Sequence, residues 1–281
     1  MIDLGSLSAR LTLGPDGIWY SSGASPVSYP ACGNEACYQV EDSSFWFQHR
    51  NDCIISVISL FPPVERGPIF DIGGGNGFVS LALARAGYEV VMVEPGKDGA
   101  RHARKRGIEN VVCASIETAG FHPLSLPAIG LFDVLEHIED DLDFLRCCGQ
   151  LLQENGRLYL TVPAYNFLWS HEDELAGHFR RYTLKNICSL VESCGFVTEF
   201  KTYIFKFLPI PIALFRTLPY RLGVSRALKK MPEGPRGHGI RGKWAQNGVE
   251  WLLRQEVRLL KQKKSIRMGS SCLVVAKKTG K

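Results

Sequence analysis

A chain of 281 residues, 45% hydrophobic and 22% charged, is long enough for one large α/β domain with appendages, and its mean hydropathy of −0.03 excludes membrane-embedded and disordered classes. The formal net charge of +5 hides two unlike parts: residues 1–200 hold 14 Lys and Arg against 25 Asp and Glu, while residues 201–281 hold 19 against 3. The basic part suits an anionic partner (a phosphate-bearing substrate, a membrane surface or a nucleic acid), or it neutralises the protein's own acidic body.

The opening MIDLGSLSAR has no apolar run of the signal-peptide kind. Nine scattered cysteines then predict reduced thiols in a cytoplasmic protein, with membrane association as the variant. Cys32 and Cys37 have half of a zinc-site spacing, but no second pair follows at the distance a zinc finger requires. RLTLGPDGIWYS (10–21) reads as a hairpin about a Gly-Pro-Asp-Gly turn, followed by a polar loop. SFWFQHRNDCIISVISLF sets Ile54, Ile55, Val57, Ile58 and Phe61 on one helical face, and Pro62-Pro63 ends it.

Strand and helix signals then alternate. Strands are expected at 68–73, 88–95, 110–115, 128–135 and 157–163, with helices at 76–87, on to Arg106, through Leu152 and at 183–195. Strands at 196–205 and 271–278 complete the set. The expected fold is α/β: a doubly wound, Rossmann-like sheet of seven strands, parallel apart from one antiparallel strand. An N-terminal hairpin and cap helix (1–62) precede a core formed by 63–205 and 269–281, interrupted by a basic amphipathic insertion (206–268). Within it, FLPIPIALFRTLPY (207–220) is apolar yet too short to span a bilayer, and residues 243–264 align Val249, Leu252, Leu253, Val257 and Leu260. The insertion is expected to act as a substrate lid or to face a membrane, with plain packing of its stripe on the domain as the alternative.

The loop FDIGGGNGF (70–78) lies between the first core strand and its helix, where glycines let backbone approach a ligand and the helix offers free N–H groups. Glu94, ending the second core strand, stands where an acid accepts both hydroxyls of a ribose. Two nucleoside cofactors fit this plan. A dinucleotide fingerprint counted from Gly73 and Gly75 puts Phe78 at its third glycine, whereas the actual order is D-x-G-x-G-x-G.

That order resembles motif I of the class I S-adenosylmethionine-dependent methyltransferases, and the resemblance extends from about Glu41 to Gly195. FDVLEHIED, after the fourth core strand, is similar to the ubiquinone-biosynthesis branch. GRLYLTVPAYNFLWSHEDELAGHFRRYT resembles a signature of bacterial polysaccharide-cluster methyltransferases. The resemblance implies S-adenosylmethionine as cofactor. Asp71 would orient its methionine end, Gly73, Gly74, Gly75 and Asn76 would pass beneath it, and Arg50 would pair with its carboxylate. Glu94 would take the ribose and Pro95 would pack on adenine, with Ser115 and Ile116 at the adenine position; Ser115 stands where the family usually has Asp. Phe132 and Asp133 would border the reactive methyl.

Methyl transfer from a sulfonium needs an acceptor held in line and relieved of its proton. His137 follows the fourth core strand, and His178 lies in a loop beyond the fifth, with Arg180, Arg181 and Tyr182 after it. Both histidines are candidate bases, and His137, His178, Asp133 and Tyr182 form the expected catalytic set; plain polar packing is the alternative for each histidine. The arginines suit a substrate carboxylate or phosphate. Asp133-x-x-Glu136-His137, completed by His171 or His178, also resembles a divalent-cation motif of ubiquinone-type and small-RNA methyltransferases, a minority reading. The favoured expectation is O-methylation of a small molecule such as a saccharide, a lipid-linked glycan or a natural-product intermediate. An anionic or lipid-linked acceptor and peripheral membrane contact are compatible with it. An RNA methyltransferase, an N-methyltransferase and a nucleotide-binding module without methyl transfer are the rivals. Nucleic acid ranks low as a partner, because the basic segment carries no RNA-binding motif.

Overall fold

A computed structural model describes residues 2–23, 38–223 and 243–279. The Cys32–Cys37 pair, most of the polar loop before it and residues 224–242 of the insertion lie outside the described residues.

The strands are β1 (Leu11–Leu13), β2 (Ile18–Ser21), β3 (Ile69–Ile72), β4 (Val90–Val93), β5 (Asn110–Cys113), β6 (Leu126–Phe132), β7 (Leu152–Pro163), β8 (Phe196–Ile204) and β9 (Ser271–Lys278). They form one sheet in the order β1-β2-β5-β4-β3-β6-β7-β9-β8. From β5 to β7 every pairing is parallel, and β9 runs antiparallel between β7 and β8. β3, β4 and β6 are buried along their whole length, as strands covered on both faces must be. The chain winds outward from β3 through β4 to β5, then returns to start β6 on the other side of β3. The switch point therefore lies between β3 and β6, where a crevice opens beyond the strand C-termini.

The seven-strand expectation holds for the core, but among the described residues the sheet has nine strands. The N-terminal hairpin extends the sheet: β2 pairs in parallel with β5, Ile18 opposite Val111, and covers an edge that would otherwise be open. Burial of Leu11 and Ile18 holds it there.

Helices cover both faces. One face carries Phe45–Leu60, Phe78–Arg85 and Lys243–Lys261, whose Ile54, Ile58, Leu83, Leu253 and Leu260 share a core with Tyr159 and Val275. The other carries Asp141–Leu151 and Leu184–Ser193, which bury Leu145, Cys148, Ile187 and Val191. Side chains mark where the latter two begin: Asp140 accepts from the Asp143 N–H (3.0 Å) and Thr183 from the Asn186 N–H (3.1 Å).

The insertion divides in two. Its second part, Lys243–Lys261, packs its stripe along Phe45–Leu60 and is fixed by Glu256, which is wholly buried. This carboxylate accepts from the backbone N–H groups of Phe205 (2.6 Å) and Lys206 (2.9 Å) and pairs with His49 Nε2 (2.8 Å). That helix is neither lid nor membrane-facing on its apolar side, because Leu253, Glu256 and Leu260 point into the body of the domain. The first part is a helical stretch from Pro209 to Arg221 with a π turn at Ala213–Thr217, and it stands at the mouth of the crevice. Among the described residues, all seven cysteines are free thiols and no helix is long and apolar enough to cross a membrane.

Candidate active site

The crevice beyond β3, β4 and β6 has a volume of about 1460 Å³. A drug-sized ligand fills roughly 300–1,000 Å³, so there is room for a nucleoside cofactor and an acceptor together.

One end is built by the glycine loop. Asp71 leaves β3 buried, and its Oδ2 accepts from Ser80 Oγ (2.6 Å). Burial raises its carboxyl to about 6, against the pull of the Ser80 hydrogen bond and the Arg50 charge. Gly74 sits so close to β4 that a Cβ would lie 2.6 Å from Met92 Cγ. Gly75 has φ 56°, and a Cβ on it would point into open space, so backbone is the only wall at that point. Its N–H donates to Glu94 Oε2 (2.9 Å), while the Gly96 N–H donates to Oε1 (2.7 Å). Glu94 is 6% exposed, and burial lifts its carboxyl to about 7 in spite of both bonds. Each oxygen keeps acceptor capacity, which a ribose diol would use. Pro95, Ser115, Ile116 and Phe132 line the same end, with Gly73 beneath. The Ser115 hydroxyl takes part in a capping box with Thr118 that starts the next helical turn. Asn76 also lines the crevice, but its amide spans Glu41 Oε1 (3.3 Å) and His102 Nδ1 (2.9 Å), so its side chain braces the loop.

Arg50 reaches the crevice from the Phe45–Leu60 helix, lying over the rings of Trp46 (4.9 Å) and Phe47 (5.3 Å). It is ion-paired with Asp133 Oδ2, and Asp133 Oδ1 accepts from Thr161 Oγ1 (3.0 Å). Asp133 adopts φ 59°, a left-handed conformation that Asp takes up more readily than most side-chain-bearing residues, at the end of β6. The expected Arg50 contact to a cofactor carboxylate therefore competes with an ion pair inside the protein.

The opposite wall joins the Leu135–His137 turn to the segment 164–183. The Phe179 N–H donates to the Glu136 carbonyl (2.8 Å), which brings the rings of His137 and His178 to 4.7 Å in an edge-to-face arrangement. Asp173 is 1% exposed and accepts from the Ser170 N–H (2.9 Å), His178 Nδ1 (2.9 Å) and Arg181 (Nε 2.7 Å, Nη2 3.0 Å). Burial alone would raise its carboxyl; the His178 and Arg181 bonds outweigh that and bring it down to about 2. An ionised Asp173 can only accept, so a neutral His178 carries its proton on Nδ1 and its lone pair on Nε2. His137 is lowered to about 4 by burial and by its histidine neighbour, so it is neutral at physiological pH. Glu136 is 1% exposed and pushed well above the usual carboxylate range by burial and then by the Asp133 charge. Among the described residues its Oε2 has no hydrogen-bond partner.

Three expectations are corrected here. Tyr182 is not part of the crevice wall: it is core-packed, with its hydroxyl donated to Asp141 Oδ2 (2.7 Å). Neither arginine is available for an acceptor. Arg181 is held by Asp173, while Arg180 pairs with Asp141 (2.7 Å) and the Glu139 carbonyl (2.6 Å). The candidate metal set also changes, because Asp133 is taken by Arg50 and Thr161 and His171 pairs with Glu174 (3.1 Å). Glu136, His137 and His178 remain as a group with ligand atoms within 4.8 Å of one another. Asp173, the residue that orients His178, had no sequence signal beyond lying among other acids.

The fold and this crevice define a class I, Rossmann-like methyltransferase. Residues 46–199, more than half of the chain, match the family model described as "Methyltransferase domain", and the protein belongs to that family of S-adenosylmethionine-dependent enzymes. It is 32% identical over 105 residues to a ubiquinone biosynthesis O-methyltransferase of Methylocella silvestris, covering 36% of this chain and 41% of that one. A Xylella fastidiosa protein of the same description is 27% identical over 118 residues, covering 40% and 48%. The matches thus span less than half the length of these curated relatives. Among solved structures, a Haloferax volcanii chain in complex with the Trm112 methyltransferase activator is similar in fold, with TM-score 0.55, 13% identity and coverage of 89% and 95%. Haemonchus contortus phosphoethanolamine N-methyltransferase 2, solved with S-adenosyl-L-methionine, gives TM-score 0.54 at 18% identity, covering 90% of this chain and 58% of that one.

Proposed function

We propose that this protein transfers the methyl group of S-adenosylmethionine to a hydroxyl of a small molecule. The observation that supports the reading is a crevice that carries the glycine-loop backbone (Gly73–Gly75) and Glu94 at one end and, opposite, a histidine whose Nδ1 is hydrogen-bonded to a buried carboxylate. The fit to the cofactor rests on the exposed backbone at Gly75 and the acceptor capacity of Glu94. When bound, the cofactor supplies a sulfonium methyl whose leaving group departs as a neutral thioether. The protein has to orient the acceptor oxygen and remove its proton. His178 Nε2 is the accepting atom. Asp173 holds the ring and stabilises the imidazolium that forms, and Arg181 keeps Asp173 ionised. His137 is a neutral wall of the acceptor site.

The acceptor is a saccharide, a lipid-linked or a natural-product hydroxyl, and the relatives' description as ubiquinone biosynthesis O-methyltransferases favours oxygen over nitrogen. A screen of S-adenosylhomocysteine formation against saccharide, lipid-phosphate, small aromatic and RNA acceptors tests it. Turnover with a hydroxyl acceptor and none with RNA is the expected result; RNA alone as substrate refutes it. A second reading rests on the unpartnered Glu136 Oε2 beside two imidazoles, a donor set that suits a divalent cation. Loss of turnover with EDTA, restored by Mg²⁺ or Mn²⁺, would favour it and make His137 and His178 ligands.

A further inference from the structure

The Pro209–Arg221 stretch leaves apolar surface uncovered. Ile210, Leu214, Phe215, Leu218 and Leu222 are between 48% and 77% exposed, and Ile210, Leu214, Leu218 and Leu222 recur every four residues along one side. The stretch is tied to residues 167–174. Tyr220 donates to Glu174, Arg216 lies 3.8 Å from Glu172, and Arg221 Nη2 donates to the Phe167 carbonyl (3.2 Å). Phe167 and Leu175, themselves 52% and 60% exposed, come from the segment those bonds reach and continue the apolar rim. Leu175, Ile212 and Phe215 also line the crevice, so the rim and the mouth of the active site are one surface. A monomeric protein surrounded by water seldom keeps so large a patch uncovered without a use for it.

Charge selects the partner. The stretch carries Arg216 and Arg221 and no acid, and the sequence from 221 to 243 holds seven Lys and Arg against one Glu. Apolar side chains on one side of a short helix, next to a basic run, match a bilayer whose headgroups are anionic: the side chains enter the acyl boundary and the basic groups meet phosphate.

We infer that Ile210, Leu214, Leu218 and Leu222, with Phe167, dock the protein on an anionic membrane surface, with the crevice mouth at headgroup level. The acceptor is then a hydroxyl carried by a lipid and drawn from that surface. This choice of acceptor rests on the methyl-transfer reading, whereas docking does not.

Vesicle flotation of the full-length chain tests the docking without reference to catalysis. Vesicles of phosphatidylcholine alone and vesicles doped with phosphatidylglycerol are compared for the protein and for the Leu214→Glu, Leu218→Glu double variant. Neither of those leucines lines the crevice. Flotation with the doped vesicles that falls at least about tenfold in the double variant is the expected result. The variant should keep its cofactor affinity and thermal midpoint, which shows that it is folded. No flotation on doped vesicles, or equal flotation of both proteins, overturns the inference. So does a dimer of the parent chain that the double variant dissolves, since the face would then be an interface between copies. A protein that floats but does not bind S-adenosylmethionine refutes the methyl-transfer reading and leaves the docking standing.

Discussion

Glu94→Gln separates two properties of one side chain. The Glu94 carboxylate is 6% exposed and receives two backbone N–H bonds, yet burial still lifts it from 4.5 to about 7. A group whose carboxyl is raised by folding holds its proton more tightly in the folded state. The stability it contributes is full below about pH 4.5 and lost as pH rises through about 7. That interval corresponds to about 3 kcal/mol, of which about 2–3 kcal/mol falls between about pH 5 and about pH 8.5. Glutamine does not titrate, so this loss disappears. In its place comes a pH-independent cost of about 1–3 kcal/mol, because its NH₂ must face one of the two N–H donors. Asp71, raised to about 6, adds a similar slope to both proteins and drops out of the comparison. Urea unfolding at the two pH values should show the parent losing about 2–3 kcal/mol more than the variant. In calorimetry the parent's affinity for S-adenosylmethionine should fall below about pH 7, as the ribose acceptor becomes protonated. The variant should bind at least about tenfold more weakly at about pH 8.5, the worth of a charge-assisted acceptor. Parallel stability curves would refute the burial argument, and unchanged affinity would refute the cofactor pose.

The other substitutions test the opposite wall and the loop. His178→Ala should lower turnover about 10²-fold or more while calorimetry shows unchanged cofactor affinity; equal turnover would remove it from the chemistry. Tyr182→Phe should keep turnover within about twofold and cost about 1 kcal/mol in chemical denaturation, since the hydroxyl serves Asp141; a large fall in turnover would restore it to the catalytic set. Gly74→Ala should destabilise by about 1–3 kcal/mol and weaken cofactor binding, because its Cβ would press on the buried Met92 side chain and crowd Asp71; normal stability and binding would mean that Met92 repacks freely.

That Asp71, the glycine loop and Glu94 share one end of the crevice was legible in the sequence because their placement is local. Asp71 lies near the end of β3, the glycines directly follow that strand and Glu94 directly follows β4, and parallel strands bring those ends to one edge whatever their separation in the chain. The rest of the site depends on pairings that no periodicity records. His49 meets Glu256, 207 residues away, and Arg50 meets Asp133, 83 residues away. Such contacts follow from how helices pack on the sheet. The AGHFRRYT segment was misread in part for a related reason. An isolated bridge pairs Ala164 with Tyr182 and fixes Tyr182 against the body of the domain, whereas His178 lies before that bridge and is held by Asp173. His178 and Tyr182 are both polar aromatics close in sequence, but only His178 faces the crevice, while Tyr182 turns toward Asp141.

The same contrast explains the insertion. Its two apolar stripes look alike in sequence, yet one is buried and the other exposed. Lys243–Lys261 carries Glu256 at the centre of its stripe, and a carboxylate in that position is tolerable only where donors await it. The N–H groups of Phe205 and Lys206, released where β8 ends, meet that need and fix the helix against the domain. Among the described residues, the Pro209–Arg221 stretch carries no buried carboxylate of that kind; its polar bonds run through Arg216, Tyr220 and Arg221 to Glu172, Glu174 and Phe167. A polar residue within the apolar stripe, met by backbone donors, thus fixes Lys243–Lys261 on the domain, while the stripe without one stays exposed.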